Sequence, residues 1–227
     1  LAIATRFRRE GATVVTASRT PPSDADDLYV PVDVTDPARV NALVTGAVER
    51  LGRLDILVNN AAVEHEATVE DTTLEDWEHV MAVNAGGVFL CTKFAIPHLR
   101  RTRGAIINIA SIDGLWAEPG LGAYCASKGA VVALTRATAI DHGPDGIRCT
   151  CICPSYVRSE MLEQFWAAQR DPDEARREAD RMHPLGRISE PEEVASLATW
   201  LASDEASFVS GHPFLIDGGL LAGRALR

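Results

Sequence analysis

Short apolar runs alternate along the chain with longer segments in which apolar residues recur every three or four positions. Residues 56–58, 105–109 and 148–153 have the length and composition of buried strands, whereas residues 40–51 have the spacing of an amphipathic helix. Strands that alternate with helices form a parallel sheet covered by helices on both faces. The pattern therefore predicts an α/β fold with a doubly wound parallel sheet. No repeat or linker interrupts it, so we expect one domain over residues 1–227.

Local signals set the bounds of several elements. Residues 12–17 and 28–32 are rich in β-formers and predict two short strands early in the chain. Thr72 and Glu75 have the spacing of a capping box, which predicts the start of a helix. The charge-rich segment 159–182 reads as helical.

The candidate chemistry lies at Ser111, Tyr124 and Lys128. Ser111 follows the strand at residues 105–109, and Tyr124 and Lys128 are four positions apart, so they share one face of a helix. Tyrosine has a reference pKa of about 10, and a nearby positive charge favours its phenolate form. Open α/β sheets bind ligands at the carboxyl ends of their strands. The arrangement therefore suits proton exchange with an alcohol or carbonyl oxygen.

These residues belong to a longer series of motifs. In chain order the series is Asp33-Val34, Asn59-Asn60-Ala61-Ala62, Asn84, Ser111, Tyr124 with Lys128, Pro154, and Asp217-Gly218-Gly219. A tyrosine and a lysine four apart are by themselves usually a solvated pair, but the whole series resembles the short-chain dehydrogenase/reductase family, its 3-oxoacyl-carrier-protein reductase-like members included. The resemblance implies a Rossmann-like fold. It also implies an NAD(P)-dependent oxidoreductase that interconverts a secondary alcohol and a ketone by hydride transfer.

The resemblance also implies a role for individual residues. The catalytic set would be Asn84, Ser111, Tyr124 and Lys128: Ser111 binds the substrate oxygen, Tyr124 exchanges the proton, Lys128 lowers the pKa of the tyrosine, and Asn84 kinks its helix and holds a proton-relaying water. The residues that would bind the cofactor are Ser18, Arg19, Asp33, Val34, Asn59, Ala61, Tyr124, Lys128, Pro154, Val157 and Ser159. Those that would bind substrate are Ser111, Asp113, Trp116 and Tyr156. Ala62, Ser155 and Ser159 depart from the family's usual Gly, Gly and Thr.

The cofactor preference depends on Ser18 and Arg19. NAD users of the family usually carry an acidic residue at the position of Ser18, where it holds the ribose 2′-hydroxyl. A neutral serine followed by Arg19 suits a 2′-phosphate, which favours NADP over NAD. The alternative is that Arg19 is a solvated loop residue. Asp33 has two compatible interpretations, an adenine contact and an Asx-turn that closes its strand.

The substrate side is less determined by the sequence. Trp116, Phe165 and Trp166 would form an aromatic pocket, with Phe165 and Trp166 exposed on one side of their helix. They could equally be the internal packing of a lid or an oligomer contact. Asp113 lies two residues after Ser111, and it is either a substrate contact or the cap of a turn.

The start of the sequence departs from the family. Its members begin with a central strand and a glycine-rich turn that holds the dinucleotide phosphates, whereas this sequence begins at Leu1 with what would be the following helix. We expect the natural protein to be longer; the alternative is a sheet that has closed over the gap. The main rival function is a non-catalytic reductase-like scaffold that has lost cofactor binding. A second rival is an isomerase or dehydratase on the same fold.

The composition of the chain limits the classes of molecule that it is expected to bind. The net charge of −10 and the pI near 5.1 argue against nucleic acid or an anionic membrane as the main target. The sequence has no run of about 18 apolar residues and no signal-peptide pattern. Cys149, Cys151 and Cys153 point to one face of a strand and are expected to be core residues, so no metal is predicted. We expect a cytoplasmic protein with a small-molecule substrate that forms a homodimer or homotetramer, the assembly by analogy with the family.

Overall fold

The computed structural model describes residues 1–21, 28–167 and 169–223. Helices and strands alternate through these residues, which confirms the predicted α/β class. The elements in chain order are α1 (Ala2–Arg9), β1 (Thr16–Ser18), β2 (Tyr29–Pro31), α2 (Pro37–Leu51), β3 (Ile56–Asn59), α3 (Leu74–Met81), α4 (Gly87–Thr102), β4 (Ala105–Ile109), α5 (Gly122–His142), β5 (Arg148–Pro154), α6 (Glu160–Ala167), α7 (Pro172–Met182), α8 (Pro191–Ala202) and β6 (Pro213–Ile216).

The strands form two parallel sheets. β1 pairs with β2, and the other four strands pair in the order β3-β4-β5-β6. No backbone ladder joins β1 to β3 within the described residues, so the sheet has not closed over the gap between them. The predicted strand at residues 12–17 is therefore wrong over residues 12–15, because a strand needs a partner and only residues 16–18 have one. The side chains of Ile56, Leu57 and Val58 are half-buried rather than buried, since β3 is an edge strand.

The larger sheet is covered on both faces. Phe7 of α1 and Leu201 of α8 pack on one face against Ile107 and Ile152. Helices α4 and α5 cover the other face, where Val88, Ala95, Leu99, Val131 and Val132 meet the cysteines of β5. All three of those cysteines, Cys149, Cys151 and Cys153, are fully buried and free, which confirms that they are core residues. The sheet thus presents its carboxyl ends at one edge of a firmly packed body.

One helix begins a residue later than predicted. The N-cap of α3 is Thr73, whose hydroxyl accepts a hydrogen bond from the Asp76 amide at 3.1 Å. Thr72 does not cap the helix, because its hydroxyl donates instead to the Thr68 carbonyl at 2.7 Å. The predicted capping box at Thr72 is wrong, because the Thr72 hydroxyl is bonded within the preceding turn and cannot cap the helix.

The segment after β5 folds into two helices rather than one. The Asp171 side chain accepts a hydrogen bond from the Glu174 amide at 3.0 Å, and this cap begins α7 anew. Trp166 was expected to be exposed but is only 2% exposed, and the Arg176 guanidinium lies 5.6 Å from its ring centre. Phe165 remains 40% exposed. The sequence left three roles open for these aromatic residues: a substrate pocket, internal packing of a lid, or an oligomer contact. Trp166 has the second of these roles, because it packs inside the segment.

Helices α3 and α4 continue into each other through a π-helical segment at Ala82–Gly86. By length and composition alone, Leu74–Thr102 could cross a membrane, but 44% of its most apolar 18-residue window is buried inside the fold. A core helix has the same apolar composition. Because α4 packs on α2 and on the sheet, we assign its apolar face to the core.

Candidate active site

Ser111 stands where β4 ends, at the carboxyl edge of the sheet. After β4 the chain enters a 3-10 turn at Ile112–Gly114, and Ser111 Oγ accepts a hydrogen bond from the Asp113 amide at 3.2 Å. The turn lies directly on α5. A Cβ at Gly114 would come within 2.8 Å of the Lys128 carbonyl oxygen, so only glycine fits this close approach. The turn therefore fixes Ser111 against the helix that carries the other two candidates.

Tyr124 and Lys128 lie in the first two turns of α5 and face Ser111. The Tyr124 phenol lies close enough to the Ser111 side chain for the serine to lower its pKa. Lys128 Nζ lies 5.4 Å from the centre of the Tyr124 ring and donates a hydrogen bond to the Ile109 carbonyl at 3.0 Å. The structure thus brings the serine, the phenol and the ammonium together, although Ser111 and Lys128 are 17 positions apart in the sequence.

Burial shifts both titrating groups of α5. Lys128 is 3% exposed, and burial lowers its pKa to about 8. The pKa of Tyr124 is raised, first by burial and then by the negative charges of Glu64 and Asp113. The sequence led us to expect a net lowering of this pKa by Lys128. The net shift is upward instead, because burial and two carboxylates oppose the phenolate.

Asn84 lies inside the π-helical segment and is 1% exposed. Its side chain accepts a hydrogen bond from the Val63 amide and donates one to the Val63 carbonyl, both at 2.8 Å. It also donates to Ser127 Oγ at 2.9 Å, and that hydroxyl donates to the Tyr124 carbonyl at 2.7 Å. The expected irregularity of the helix is present as a π segment. Its amide ties the loop after β3 to α5, and these three bonds go to Val63 and Ser127 rather than to Lys128.

Asn59 has its side chain inside the sheet. Its amide donates to Asn108 Oδ1 at 2.8 Å and to Thr92 Oγ1 at 3.3 Å, which joins β3 to β4 and to α4. The side chain is therefore occupied by the fold. Ala61, two residues later, is exposed at the carboxyl edge.

The candidate adenosine side lies on the smaller sheet. Asp33 Oδ1 accepts hydrogen bonds from the Thr35 amide at 2.9 Å and hydroxyl at 2.7 Å, and these bonds lower its pKa. These bonds form the Asx-turn that was one of the two interpretations of Asp33. Ser18 donates its hydroxyl to the Thr20 carbonyl at 2.7 Å, whereas Arg19 is exposed and its charge also lowers the pKa of Asp33.

Val34 serves a packing role beside this turn. A Cβ at Gly87 would lie 2.7 Å from Val34 Cγ2, so the absence of a side chain at Gly87 lets α4 begin close to the end of β2. This contact links the candidate adenosine side to the helix that follows Asn84.

The loop after β5 carries the remaining cofactor candidates. Pro154 is buried at the end of the strand, and Val157 forms a parallel bridge with Ser189. Ser159 Oγ accepts a hydrogen bond from the Leu162 amide at 3.2 Å and so caps α6. The Ser155 hydroxyl lies 2.8 Å from His183 Nε2, and His183 Nδ1 lies 2.7 Å from the Ala179 carbonyl. Because Nδ1 faces a carbonyl it carries the proton, and Ser155 donates to Nε2.

The candidate substrate side contains the predicted Asp113 and two carboxylates that the motif analysis missed, Glu64 and Glu118. Asp113 is buried, and Ser111 Oγ donates to its Oδ2 at 2.9 Å. The Tyr156 hydroxyl donates to Glu118 Oε2 at 3.0 Å, and Glu64 is close enough to act on the pKa of Tyr124. Trp116 is 63% exposed. The available signal was position, since Glu64 and Glu118 follow strands whose carboxyl ends form the site.

Comparison with known proteins identifies the family. A family model described as enoyl-(acyl carrier protein) reductase matches residues 1–221. The chain belongs to the short-chain dehydrogenase/reductase family. It is 42% identical to the meso-2,3-butanediol dehydrogenase of Serratia marcescens over 97% of this chain and 89% of that protein.

Solved structures of the family agree with the fold. The aldohexose dehydrogenase of Thermoplasma acidophilum in ligand-free form superposes with a TM-score of 0.95 at 34% identity, covering 100% of this chain and 91% of that one. The structure of ElxO with NADP bound gives a TM-score of 0.90 at 28% identity, covering 98% and 94%. This short-chain dehydrogenase/reductase is therefore an oxidoreductase that acts on CH–OH groups, with the Rossmann-like fold expected from its motifs.

The residues present fit the nicotinamide end of the family's NAD(P) cofactor. An ammonium has three N–H donors, and within the described residues Lys128 uses one, on Ile109. The remaining donors suit ribose hydroxyls, and the small exposed side chain of Ala61 leaves room at the same edge. Asn59 and Ser159 have their side-chain groups occupied by the fold, so any contact from these positions would come from the backbone.

Proposed function

We propose that this reductase interconverts a secondary alcohol and a ketone with NADP, and that Tyr124 is the proton donor and acceptor. The observation that carries the proposal is the meeting of Ser111, Tyr124 and Lys128 at the carboxyl end of β4, where open α/β sheets bind ligands. A bound nicotinamide dinucleotide supplies or receives the hydride. The chain itself must hold the substrate oxygen and move one proton.

Each side chain has a distinct task in that step. The side chains of Ser111 and Tyr124 lie close together, so one substrate oxygen can be held by both hydroxyls. Because the pKa of Tyr124 is raised, the phenol is protonated at neutral pH and can donate to a ketone oxygen. The positive charge of Lys128 stabilises the phenolate that remains. Asn84 acts through Ser127, which fixes the turn of α5 that carries Tyr124.

Replacement of Tyr124 by Phe tests the assignment. The variant lacks only the hydroxyl, so we expect at least a hundredfold loss of kcat with little change in thermal stability. Ketone reduction and alcohol oxidation should fall together, because both pass through the same proton transfer. Turnover within a few-fold of the wild type would refute Tyr124 as the acid–base residue.

The preference for NADP rests on Arg19, which is exposed at the end of β1 and close enough to Asp33 to lower its pKa. A 2′-phosphate would bind its guanidinium, whereas NAD has no such group. Titration with NADPH and NADH, followed by nicotinamide fluorescence, should show that NADPH binds more tightly than NADH. The variant Arg19→Ala should lose this preference. Arg39→Ala is the matched control, since Arg39 also acts on Asp33 from a distance. Equal losses in both variants, or tighter NADH binding, would contradict the preference.

The proposal extends to assembly and location. A homodimer or homotetramer would cover apolar side chains that are exposed on α8, β6 and the loop between them, namely Trp200, Phe208 and Leu215. Light scattering after size-exclusion chromatography tests the assembly, and a monomer at micromolar concentration would refute it. A cytoplasmic location accords with five free cysteines and is tested by cell fractionation.

A further inference from the structure

The loop after β5 is fixed by a second segment of the chain, residues 183–189. The Tyr156 carbonyl accepts hydrogen bonds from the Ser189 amide at 3.0 Å and hydroxyl at 3.1 Å, and the Arg158 amide donates to the Ser189 carbonyl at 2.9 Å. In a parallel bridge, the residue between the two bonded groups points its own amide and carbonyl the other way. The backbone amide and carbonyl of Val157 therefore face away from Ser189 and are left free by this bridge.

His183 begins that segment and is 1% exposed. Its Nδ1 lies 2.7 Å from the Ala179 carbonyl of α7, and its Nε2 lies 2.8 Å from the Ser155 hydroxyl. The imidazole also meets the Tyr156 ring edge-on, with ring centroids 6.1 Å apart. His183 therefore joins α7 to two consecutive residues of the loop after β5.

The two hydrogen bonds of the imidazole serve different parts of the fold. Ala179 lies in the last turn of α7, where carbonyls lack a partner inside the helix, so the bond from Nδ1 caps α7. The bond at Nε2 instead holds the hydroxyl of Ser155, two residues before Val157. The Ile216 carbonyl lies 3.4 Å from the same hydroxyl, so the imidazole is its closer partner.

The serine at position 155 makes this second bond possible. Ser155 is one of the positions where the chain departs from the usual glycine of the family, and glycine has no hydroxyl. The Ser155 amide donates to the Ile216 carbonyl at 3.0 Å, which ties its backbone to β6. Its side chain is tied to the end of α7 through His183. The start of the loop is thus held from two sides, and one of the two attachments depends on residues particular to this chain.

We propose that His183 is a positioning residue for the proposed reaction: through the Ser155 hydroxyl it holds the loop after β5 in the shape that binds the nicotinamide end of the cofactor. The inference rests on the proposed function, because Val157 and Ser159 of this loop are cofactor candidates. A loop that is ordered before the ligand arrives removes an ordering cost from binding. Loss of the bond between Ser155 and His183 should therefore weaken cofactor binding.

Two substitutions of His183 separate its two bonds. The amide nitrogen of asparagine takes the place of Nδ1, so His183→Asn keeps the donor for Ala179 and loses the acceptor for Ser155. The amide oxygen of glutamine takes the place of Nε2, so His183→Gln keeps the acceptor and loses the donor. Ser155→Ala removes the other partner of the same bond. His212→Asn is the matched control, since this exposed histidine meets the Phe214 ring edge-on at 5.6 Å.

The whole chain and each variant are titrated with NADPH and with NADH, followed by nicotinamide fluorescence, and thermal melting is recorded in parallel. One neutral hydrogen bond corresponds to about a three- to tenfold change in an equilibrium constant, so His183→Asn and Ser155→Ala should each raise the Kd of the tighter-binding nucleotide by about this factor. The two substitutions together should raise it no further, because both remove one bond. His183→Gln should stay within about twofold of the wild type although it melts at a lower temperature, and His212→Asn should leave the Kd unchanged.

The outcomes separate this inference from the proposed function. Binding of neither nucleotide by the wild type would overturn the proposed function, and this inference with it. A wild-type Kd in Ser155→Ala would overturn this inference alone. Equal weakening in His183→Asn and His183→Gln would show that the histidine only caps α7, and additive effects of Ser155→Ala and His183→Asn would show that the two residues do not act through one bond; either result would overturn the positioning role.

Discussion

Burial of the Lys128 ammonium should make the protein less stable at neutral pH than a variant without this charge. Its pKa falls from 10.5 to about 8, a difference that corresponds to about 3 kcal/mol at about 1.4 kcal/mol per pH unit. Lys128→Met removes this penalty but leaves the Ile109 carbonyl without its donor, which costs about 1 kcal/mol. We therefore expect the variant to be about 2 kcal/mol more stable than the wild type at pH 7, and to lose activity.

The pH dependence fixes the sign of the effect. Below pH 8 the folded and unfolded chains both hold the lysine proton, and the penalty is complete. Between pH 8 and 10.5 the unfolded chain binds a proton that the folded chain has lost, so the free energy of unfolding of the wild type rises with pH. Methionine has no such titration. The advantage of the variant should therefore shrink across this window and reverse above it.

Two measurements check this prediction. Urea unfolding at pH 7, 8, 9 and 10 gives the stability difference between Lys128→Met and the wild type. NMR titration of lysine side chains gives the pKa directly, since the sequence contains only two lysines, Lys93 and Lys128. Lys93→Met, at an exposed position, controls for the change in net charge. A stability difference that does not vary with pH for Lys128→Met would refute the reasoning.

Two further predictions concern the elements that position the site. Asn84→Ala leaves the amide and carbonyl of Val63 without their partner, so it should lower the free energy of unfolding in urea by about 2–5 kcal/mol and reduce kcat. The control Asn60→Ala, at an exposed position, should change stability by less than about 0.5 kcal/mol. Equal effects of the two substitutions would contradict the anchoring role of Asn84. Gly114→Ala should cost about 1–3 kcal/mol and lower kcat, because its methyl group would overlap the Lys128 carbonyl. Gly46→Ala, in an open and exposed position of α2, should instead stabilise by about 0.5–1 kcal/mol, and the same sign for both substitutions would show that close packing at Gly114 does not decide the outcome.

The sequence predicts best where one element carries the whole signal. Tyr124 and Lys128 share a helix, and Ser111 follows an apolar strand, so spacing and alternation suffice to place them together. The capping error at Thr72 arose between two adjacent threonines, where the turn that uses the first hydroxyl decides which of them caps. The burial of Trp166 depends on Arg176 and Ala179, which belong to a different helix. No local periodicity contains that information.

The carboxylates near Tyr124 show the same limit and also explain the protonation states of the site. Glu64 follows β3 and Asp113 follows β4, so their spacing in the sequence does not indicate that both act on Tyr124. Together these two carboxylates act on both titrating groups of α5. Glu64 and Asp113 raise the pKa of Lys128 against the effect of burial, and they raise the pKa of Tyr124 in addition to burial. Both effects favour the protonated form, because a negative charge stabilises an ammonium and destabilises a phenolate. A protonated phenol beside an ammonium is the state that can donate a proton to a ketone oxygen, and Glu64 and Asp113 therefore keep Tyr124 in the form that the proposed reduction requires at neutral pH.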